Sequence, residues 1–350
     1  MVLARSCGLT SVASLLAGVT QKKEGSLRQS LREWCWEARA KKGEKRQAVD
    51  VTPCFGALLK WVVSSWRAEE KQIALVLDAT HLKANFVVLA ISVVYRGCAI
   101  PVAWKVTPAE HKGSWKGAWL DLLRRLHGQI PLDWNVLVLA DRGLYADWLF
   151  AGIRRQGWQP FLRINAQGKY RLLRSSQWQS LSQLVTRPGK EWSGAVVCFK
   201  SHPLRASLLL GWEDGYQDAW LILTSLFPDQ ANVAWYGMRS WIECGFKHTK
   251  RGGWQWQSTR MQDPERASRL WLAMAVATFW VVRVGGEADH NLPPSSLETL
   301  PPTHIARRRA KPTSRPRLVT CFKRGMMTIL IAVFHQLPLP FGSFLPPPWP

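Results

Sequence analysis

The chain is 350 residues long and sets 47 Lys and Arg against 24 Asp and Glu, a formal net charge of +23 with a pI of about 10.3. A balance this basic marks a polyanionic partner, nucleic acid first among them, and the spread of the cations along the chain, without one amphipathic stripe, argues against a membrane surface. The seven cysteines are scattered, odd in number and form no Cys-x-x-Cys pair, which argues against a disulfide framework or a zinc site and for a reducing, cytoplasmic setting.

The opening MVLARSCGLTSVASLLAG has a basic residue ahead of a mildly apolar stretch, but Ser and Thr interrupt it throughout, so it is not read as a secretion signal. Residues 1–70 are predicted to form a helical, basic N-terminal region that could bind DNA, with an amphipathic helix at CFGALLKWVVSSW; they show no helix-turn-helix pattern. Residues 71–165 alternate strands and helices. IALVLD, FVVLAISVVY and AIPVAWKV read as strands, the last two separated by Arg96-Gly97. A helix across WKGAWLDLLRRL, the strand NVLVLAD, a helix from Tyr145 and the strand QPFLRI follow. Asp78 closes the first strand and Asp141 the fourth. Both runs are rich in Leu and Val, as in strands buried on both faces, and ligands of α/β sheets bind outside the carboxyl ends of such strands. A lone Asp at a strand end is also a common turn or cap residue. His81 and His111 lie nearby, and a lone His is more often an ordinary hydrogen-bonded residue.

Residues 166–227 hold AVVCF, ASLLLGW and AWLILTSL, with Asp214-Gly215 as a hairpin signal, and are predicted as a small β insertion. Residues 228–285 carry two helices. The first is expected to open at Pro228-Asp229 and close at Gly252-Gly253, and the second to start at the Asp263 cap and run to Gly285 as a core helix. Residues 286–350 change character: they are Pro-rich, have no acid after Glu298, and cluster Arg307, Arg308, Arg309, Lys311, Arg315 and Arg317. This tail is expected to be disordered or ordered on a partner, either as a solvated segment or as an electrostatic arm for DNA phosphates. The longest uncharged apolar runs, 270–282 and 325–334, are too short to span a bilayer. Most of the 21 Trp are expected in the core, and Trp192 and Trp212 are the better placed to stack on an unpaired base.

The stretch WYGMRSWIECGFKHTKRGG carries the densest signal. Tyr236, Arg239, Glu243 and Lys250 stand at offsets 0, 3, 7 and 14, within a sector of roughly 60° on an α-helix, and Lys247 joins them. One acid among fixed cations suits a site where a metal-bound carboxylate works beside a phosphodiester. A solvated helix face laced with i,i+4 ion pairs would show the same spacing. With Asp78 and Asp141, Glu243 would complete a three-carboxylate cage, and ligation by oxygen alone points to Mg²⁺ or Mn²⁺.

With LVLDATHL around the first acid, VLVLADRGLY around the second and the Tyr-Arg-Glu-Lys spacing around the third, the chain resembles a DDE transposase of a bacterial insertion sequence, of the YREK-signature subfamily. The likeness runs over residues 70–285 with the motifs in the family's order. It implies an RNase H-like core, a mixed sheet flanked by helices, interrupted by the β insertion. It also implies that Asp78, Asp141 and Glu243 hold two Mg²⁺ or Mn²⁺ ions, and that Tyr236, Arg239 and Lys250 contact DNA phosphates near the scissile bond. Lys247 is added from helix geometry. The implied reaction is cleavage of double-stranded DNA at transposon ends and strand transfer into a target, by a homodimer in a synaptic complex, in some relatives through a hairpin. Arg142-Gly143 departs from relatives that carry further acids after the second Asp. Three other functions fit part of the pattern: an RNase H-like nuclease without strand transfer, a catalytically silent DNA-binding protein, and a glycosidase using Asp78 and Asp141, for which the charge has no use.

Overall fold

Runs of Leu, Val and Ile without helical spacing form the centre of the sheet. In the computed structural model, which describes residues 1–44, 46–67, 71–110, 113–213, 216–295, 298 and 317–349, ten strands make one mixed sheet. Its first half comprises β1 (Gln72–Leu82), β2 (Phe86–Tyr95), β3 (Cys98–Pro108), β4 (Asn135–Ala140) and β5 (Gln159–Ile164). Its second half comprises β6 (Lys169–Leu172), β7 (Gln179–Ser180), β8 (Glu191–Cys198), β9 (Leu204–Gly211) and β10 (Trp220–Thr224). The spatial order is β3-β2-β1-β4-β5-β10-β9-β8-β6-β7. Residues 166–227 therefore continue the same sheet beyond β5. β2 is buried at every position, as an interior strand covered on both faces must be. Arg96 and Gly97 both take positive φ, 46° and 74°, the turn that matches the twist of the β2–β3 hairpin.

Helices flank this sheet. α1 (Leu9–Thr20), α2 (Glu24–Cys35) and α3 (Cys54–Ser64) precede it, α4 (Lys116–Arg125) and α5 (Asp147–Arg155) connect its strands, and α6 (Trp241–Lys247) lies against β1, β2 and β3. α7 (Pro264–Ala288) packs on β3 and is capped by Asp263, whose carboxylate accepts from the amides of Glu265 and Arg266 at 2.8 and 3.0 Å. By length and composition α7 could cross a membrane, but most of it is buried inside the fold. Trp104, Trp119, Trp254, Trp256 and Trp271 are wholly enclosed, so much of the tryptophan content serves packing. Arg269 of α7 ties the N-terminal segment to this core through the carbonyls of Cys35 and Val49 and the carboxylate of Glu37.

The described part of the tail departs from expectation. Residues 321–334 form α8 (Cys321–Phe334), which packs along α7, and Phe344 is buried against Trp66 and Tyr95. Arg317 is buried in ion pairs with Asp289 and Glu298 at 2.6 and 2.7 Å and is not part of a free arm. The cause is a backbone-to-backbone helix contact. A Cβ on Gly325 would stand 1.8 Å from the carbonyl oxygen of Val281, and one on Gly285 would stand 2.0 Å from that of Cys321. The turn at Asp214-Gly215, His111 and the cluster Arg307, Arg308, Arg309, Lys311 and Arg315 lie outside the described residues.

Gly325→Ala is expected to force α7 and α8 apart and lower stability by about 1–3 kcal/mol or more, the cost of overpacking a tight contact. Urea unfolding with an unchanged midpoint would show that the helices do not meet at these glycines.

Candidate active site

The parallel pairing of β1 with β4 fixes two of the three predicted acids. Its register runs from Gln72 with Asn135 to Leu77 with Ala140, so Asp78 and Asp141 are the next residues on neighbouring strands. Asp141 is the first residue past the end of its strand. Asp78 does not end its own: β1 continues to Leu82 because residues 79–82 keep pairing with β2, where Asp78 itself faces Ala90. The Asp141 carboxylate is set by a tight turn in which its Oδ1 accepts from the amides of Gly143 and Leu144 at 3.0 and 3.1 Å. Asp78 Oδ1 accepts from the amide of Ala79 at 2.8 Å. In each case Oδ2 is left to face the interior of the site.

The segment bearing the third acid is less regular than its spacing predicts. It opens at Asn232, whose side chain accepts from the Ala234 amide at 2.9 Å, and not at Pro228. It runs as a 3₁₀ helix over Val233–Ser240, as α6 over Trp241–Lys247, and as a π turn over His248–Gly252. The three windings turn by different angles per residue, so a common 60° sector is not kept from Tyr236 to Lys250. Gly245 is explained by packing: a Cβ there would meet that of Ala99 on β3 at 2.7 Å. This close approach seats α6 on the sheet beside Asp78.

Arg239 joins the acids. One terminal nitrogen donates to Asp78 Oδ2 at 3.0 Å and to Asp141 Oδ2 at 3.3 Å, and the other donates to Glu243 Oε1 in an i,i+4 pair. Its side chain is 6% exposed, those of Asp78 and Glu243 are 15% and 17%, and that of Asp141 is 38%, so the cluster opens to solvent on the Asp141 side. Burial pushes the Asp78 carboxyl up to about 6, against the pull of Arg239 and with help from the charges of Asp141 and Glu243. Burial works to lower the Arg239 pKa, but the neighbouring Asp78, Tyr236, Asp141 and Glu243 together raise it. Three carboxylates around one guanidinium leave an excess of negative charge, and the donors are all oxygen, a set suited to a hard divalent cation. Among the described residues no three His, Cys, Asp or Glu side chains stand close enough to hold a metal ion, because these three are spaced around a guanidinium.

The other predicted residues fall on both sides of this cluster. Lys250 is half-buried; burial lowers its pKa, Arg251 adds to that, and Asp78 opposes both, which places it within electrostatic reach of the first acid. Lys247 is exposed. Tyr236, expected to contact DNA phosphates, is buried, with its ring 5.1 Å from Trp220 and Arg163 within electrostatic reach. Its phenol is pushed up by burial. Arg163 was not foreseen; its signal is a lone cation in the apolar strand QPFLRI, and it reaches the Ala219 carbonyl at 3.1 Å with Asp218 at 3.9 Å. Arg142 shares Asp218 at 3.8 Å. Strand register puts Trp192, on β8, and Trp212, just after β9, at the same end of the sheet as Asp141, four and three strands removed from β4, both half-buried. Trp212 donates its indole N–H to the Tyr216 carbonyl at 3.0 Å, and Trp192 packs on Tyr170. His81 is exposed on β1 beyond Asp78.

Fold and site together define a mixed α/β protein that gathers three acids and an arginine at one end of its sheet. The family model described as Transposase DDE domain matches residues 69–280, well over half of the chain and all three acids. The chain belongs to this transposase family, whose members are enzymes acting on DNA. No curated protein matches it. Among solved structures, the crystal structure of human ENDOV shares 13% identity over 62% of this chain and 92% of its own, with a TM-score of 0.26, too low for the likeness to bear on fold or chemistry.

The raised Asp78 pKa makes a stability prediction. Between its ordinary value of 3.8 and about 6 the folded state holds a proton that the unfolded state has released, so this group's contribution falls as pH rises through that window. In EDTA, Asp78→Asn is expected to remove on the order of 1–3 kcal/mol of that loss. Urea titrations of the two proteins at pH 4 and pH 7 check it; parallel curves would mean that Asp78 ionises without cost.

Proposed function

We propose that this chain is a DDE transposase of a bacterial insertion sequence, of the YREK-signature subfamily, built on an RNase H-like core. The observation that carries the reading is the convergence of Asp78, Asp141 and Glu243, from three separate segments, on one guanidinium. Asp78, Asp141 and Glu243 would hold two Mg²⁺ or Mn²⁺ ions, which when bound supply charge stabilisation at the attacking and leaving oxygens of an in-line phosphoryl displacement. The rest falls to the protein. The strand register and the Asp141 turn orient the acids before substrate arrives, and Gly245 on Ala99 sets the third at its distance from the sheet. Lys250, Lys247 and Arg142 lie on the accessible side and neutralise phosphate oxygens of the DNA strand. Tyr236 and Arg163 brace the floor of the site from the buried side.

In this reading the substrate is double-stranded DNA, cut at transposon ends and joined to a target by a homodimer. A net charge of +23 provides the sequence-independent attraction to DNA phosphate. A nuclease with the same site would cut but not join. A strand-transfer assay with pre-cut ends separates the two.

Asp78→Ala, Asp141→Ala and Glu243→Ala are each expected to abolish cleavage while end binding persists; Mg²⁺ and Mn²⁺ should support turnover, and Ca²⁺ should support binding with poor turnover. Cleavage retained in one variant would remove that acid from the site.

Lys250→Ala is expected to weaken DNA binding and reduce the log–log salt slope by about one. A slope equal to that of the wild type would leave Lys250 as a partner of Asp78 alone.

A further inference from the structure

We propose that Arg239 is an internal cation that keeps the three carboxylates from sharing a metal ion until DNA phosphate draws it away, so that DNA and metal bind cooperatively. This rests on reading Asp78, Asp141 and Glu243 as the metal ligands. Both terminal nitrogens of Arg239 are engaged with these acids, and all three acids are engaged with Arg239. The oxygens a shared ion would need are the ones the guanidinium already holds, and they stand too far apart to close on a smaller ion.

The Nε of Arg239 is buried without a hydrogen-bond partner among the described residues, as it is in Arg96, Arg163 and Arg317, so the guanidinium is held by its two terminal nitrogens. It projects from the 3₁₀ segment ahead of α6, whose Tyr236, Met238 and Ser240 are buried, so the segment is packed and the exchange is one of the side chain alone.

Phosphate is the ligand class best able to compete for this side chain. It offers the same paired anionic oxygens as a carboxylate, so the planar fork can exchange one bidentate partner for another with little loss of hydrogen bonding. The cluster opens on the Asp141 side, where Lys250 and Arg142 would bring the strand in. Once Arg239 turns to a phosphate, the acids lose their counter-charge and become strong ligands. Linkage then requires that the factor by which DNA tightens metal equals the factor by which metal tightens DNA.

The test measures binding, without turnover. Free and bound Mn²⁺ would be counted by electron paramagnetic resonance for the wild type, Arg239→Gln, Arg239→Lys and Asp78→Asn, each without DNA. Arg239→Gln should bind Mn²⁺ roughly tenfold or more tighter than the wild type, within the usual range of coupling between sites. Arg239→Lys, which keeps the charge but not the fork, should fall between them; should the Gln variant fail to fold, an affinity of the Lys variant no tighter than wild type overturns the proposal. In a parallel titration of a fluorescently labelled duplex, Ca²⁺ should tighten binding to the wild type, and that factor should shrink toward one in Arg239→Gln.

Two failures are distinct. Saturable Mn²⁺ binding that Asp78→Asn abolishes, but that is equal in wild type and Arg239→Gln, overturns the role given to Arg239 and leaves the metal site standing. Absence of saturable Mn²⁺ binding in Arg239→Gln, where the acids are released from the guanidinium, overturns the metal site and this inference with it.

Discussion

The parallel ladder between β1 and β4 is the constraint on which the site depends. Its last pair, Leu77 with Ala140, leaves Asp78 and Asp141 adjacent, and the Leu, Val and Ile side chains beneath them are fully enclosed. A slip of one residue would part Asp78 from Asp141 and exchange the side chains that the two buried faces present to the helices, so the fit of both faces also holds the register of the acids. Placement of the two carboxylates is thus a by-product of core packing, and no contact specific to the acids is needed to align them.

What packing brings together, electrostatics resists. Three carboxylates in a partly buried site repel one another, and burial, with the charges of Asp141 and Glu243, pushes Asp78 up to about 6 even against the pull of Arg239. Arg239 relieves this repulsion, and its own burial is tolerable only because of the acids around it. Each side of the cluster stabilises the other, which is why neither the acids nor the arginine can be understood alone. The i,i+4 pair of Arg239 with Glu243 is the bland interaction that the helix spacing predicts, yet the same guanidinium reaches two strands, and this second reach makes the pair part of a site.

Elements whose burial is periodic and local were legible in the sequence. The β2 run FVVLAISVVY, the Arg96-Gly97 turn and the Asp263 cap of α7 all fall where propensity and turn chemistry put them, since each is decided within a few residues. The continuation of β1 past Asp78 was not legible, because it depends on pairing with β2, which the IALVLD run does not reveal. The winding of residues 233–252 was hidden for the same kind of reason. Its change from 3₁₀ to α to π is bound up with contacts such as Gly245 on Ala99, between residues far apart in the chain. Spacing found the four signature residues, but an ideal helix could not say that Tyr236 turns to the core while Lys250 stays half-exposed.

The C-terminal segment illustrates a further limit and a further consequence. Its composition reads as a tail, yet glycines on α7 and α8 let two backbones touch, and that contact is invisible without both helices. Once docked, α8 reaches the site segment directly: the Phe322 ring stacks on His248 at 4.2 Å, and a Cβ on Gly253 would strike the same ring at 2.6 Å. His248 opens the π turn that carries Lys250, and Gly253 follows its end. Phe322 therefore clamps both ends of the turn from beneath, and His248, buried there, has its pKa lowered to about 4 by loss of solvent and by the nearby Lys323 and Lys247. A neutral ring can stack without an uncompensated buried charge. The position of Lys250 relative to Asp78 is consequently set by residues some seventy positions further along the chain, so the segment that looks dispensable by composition is part of what shapes the basic side of the site.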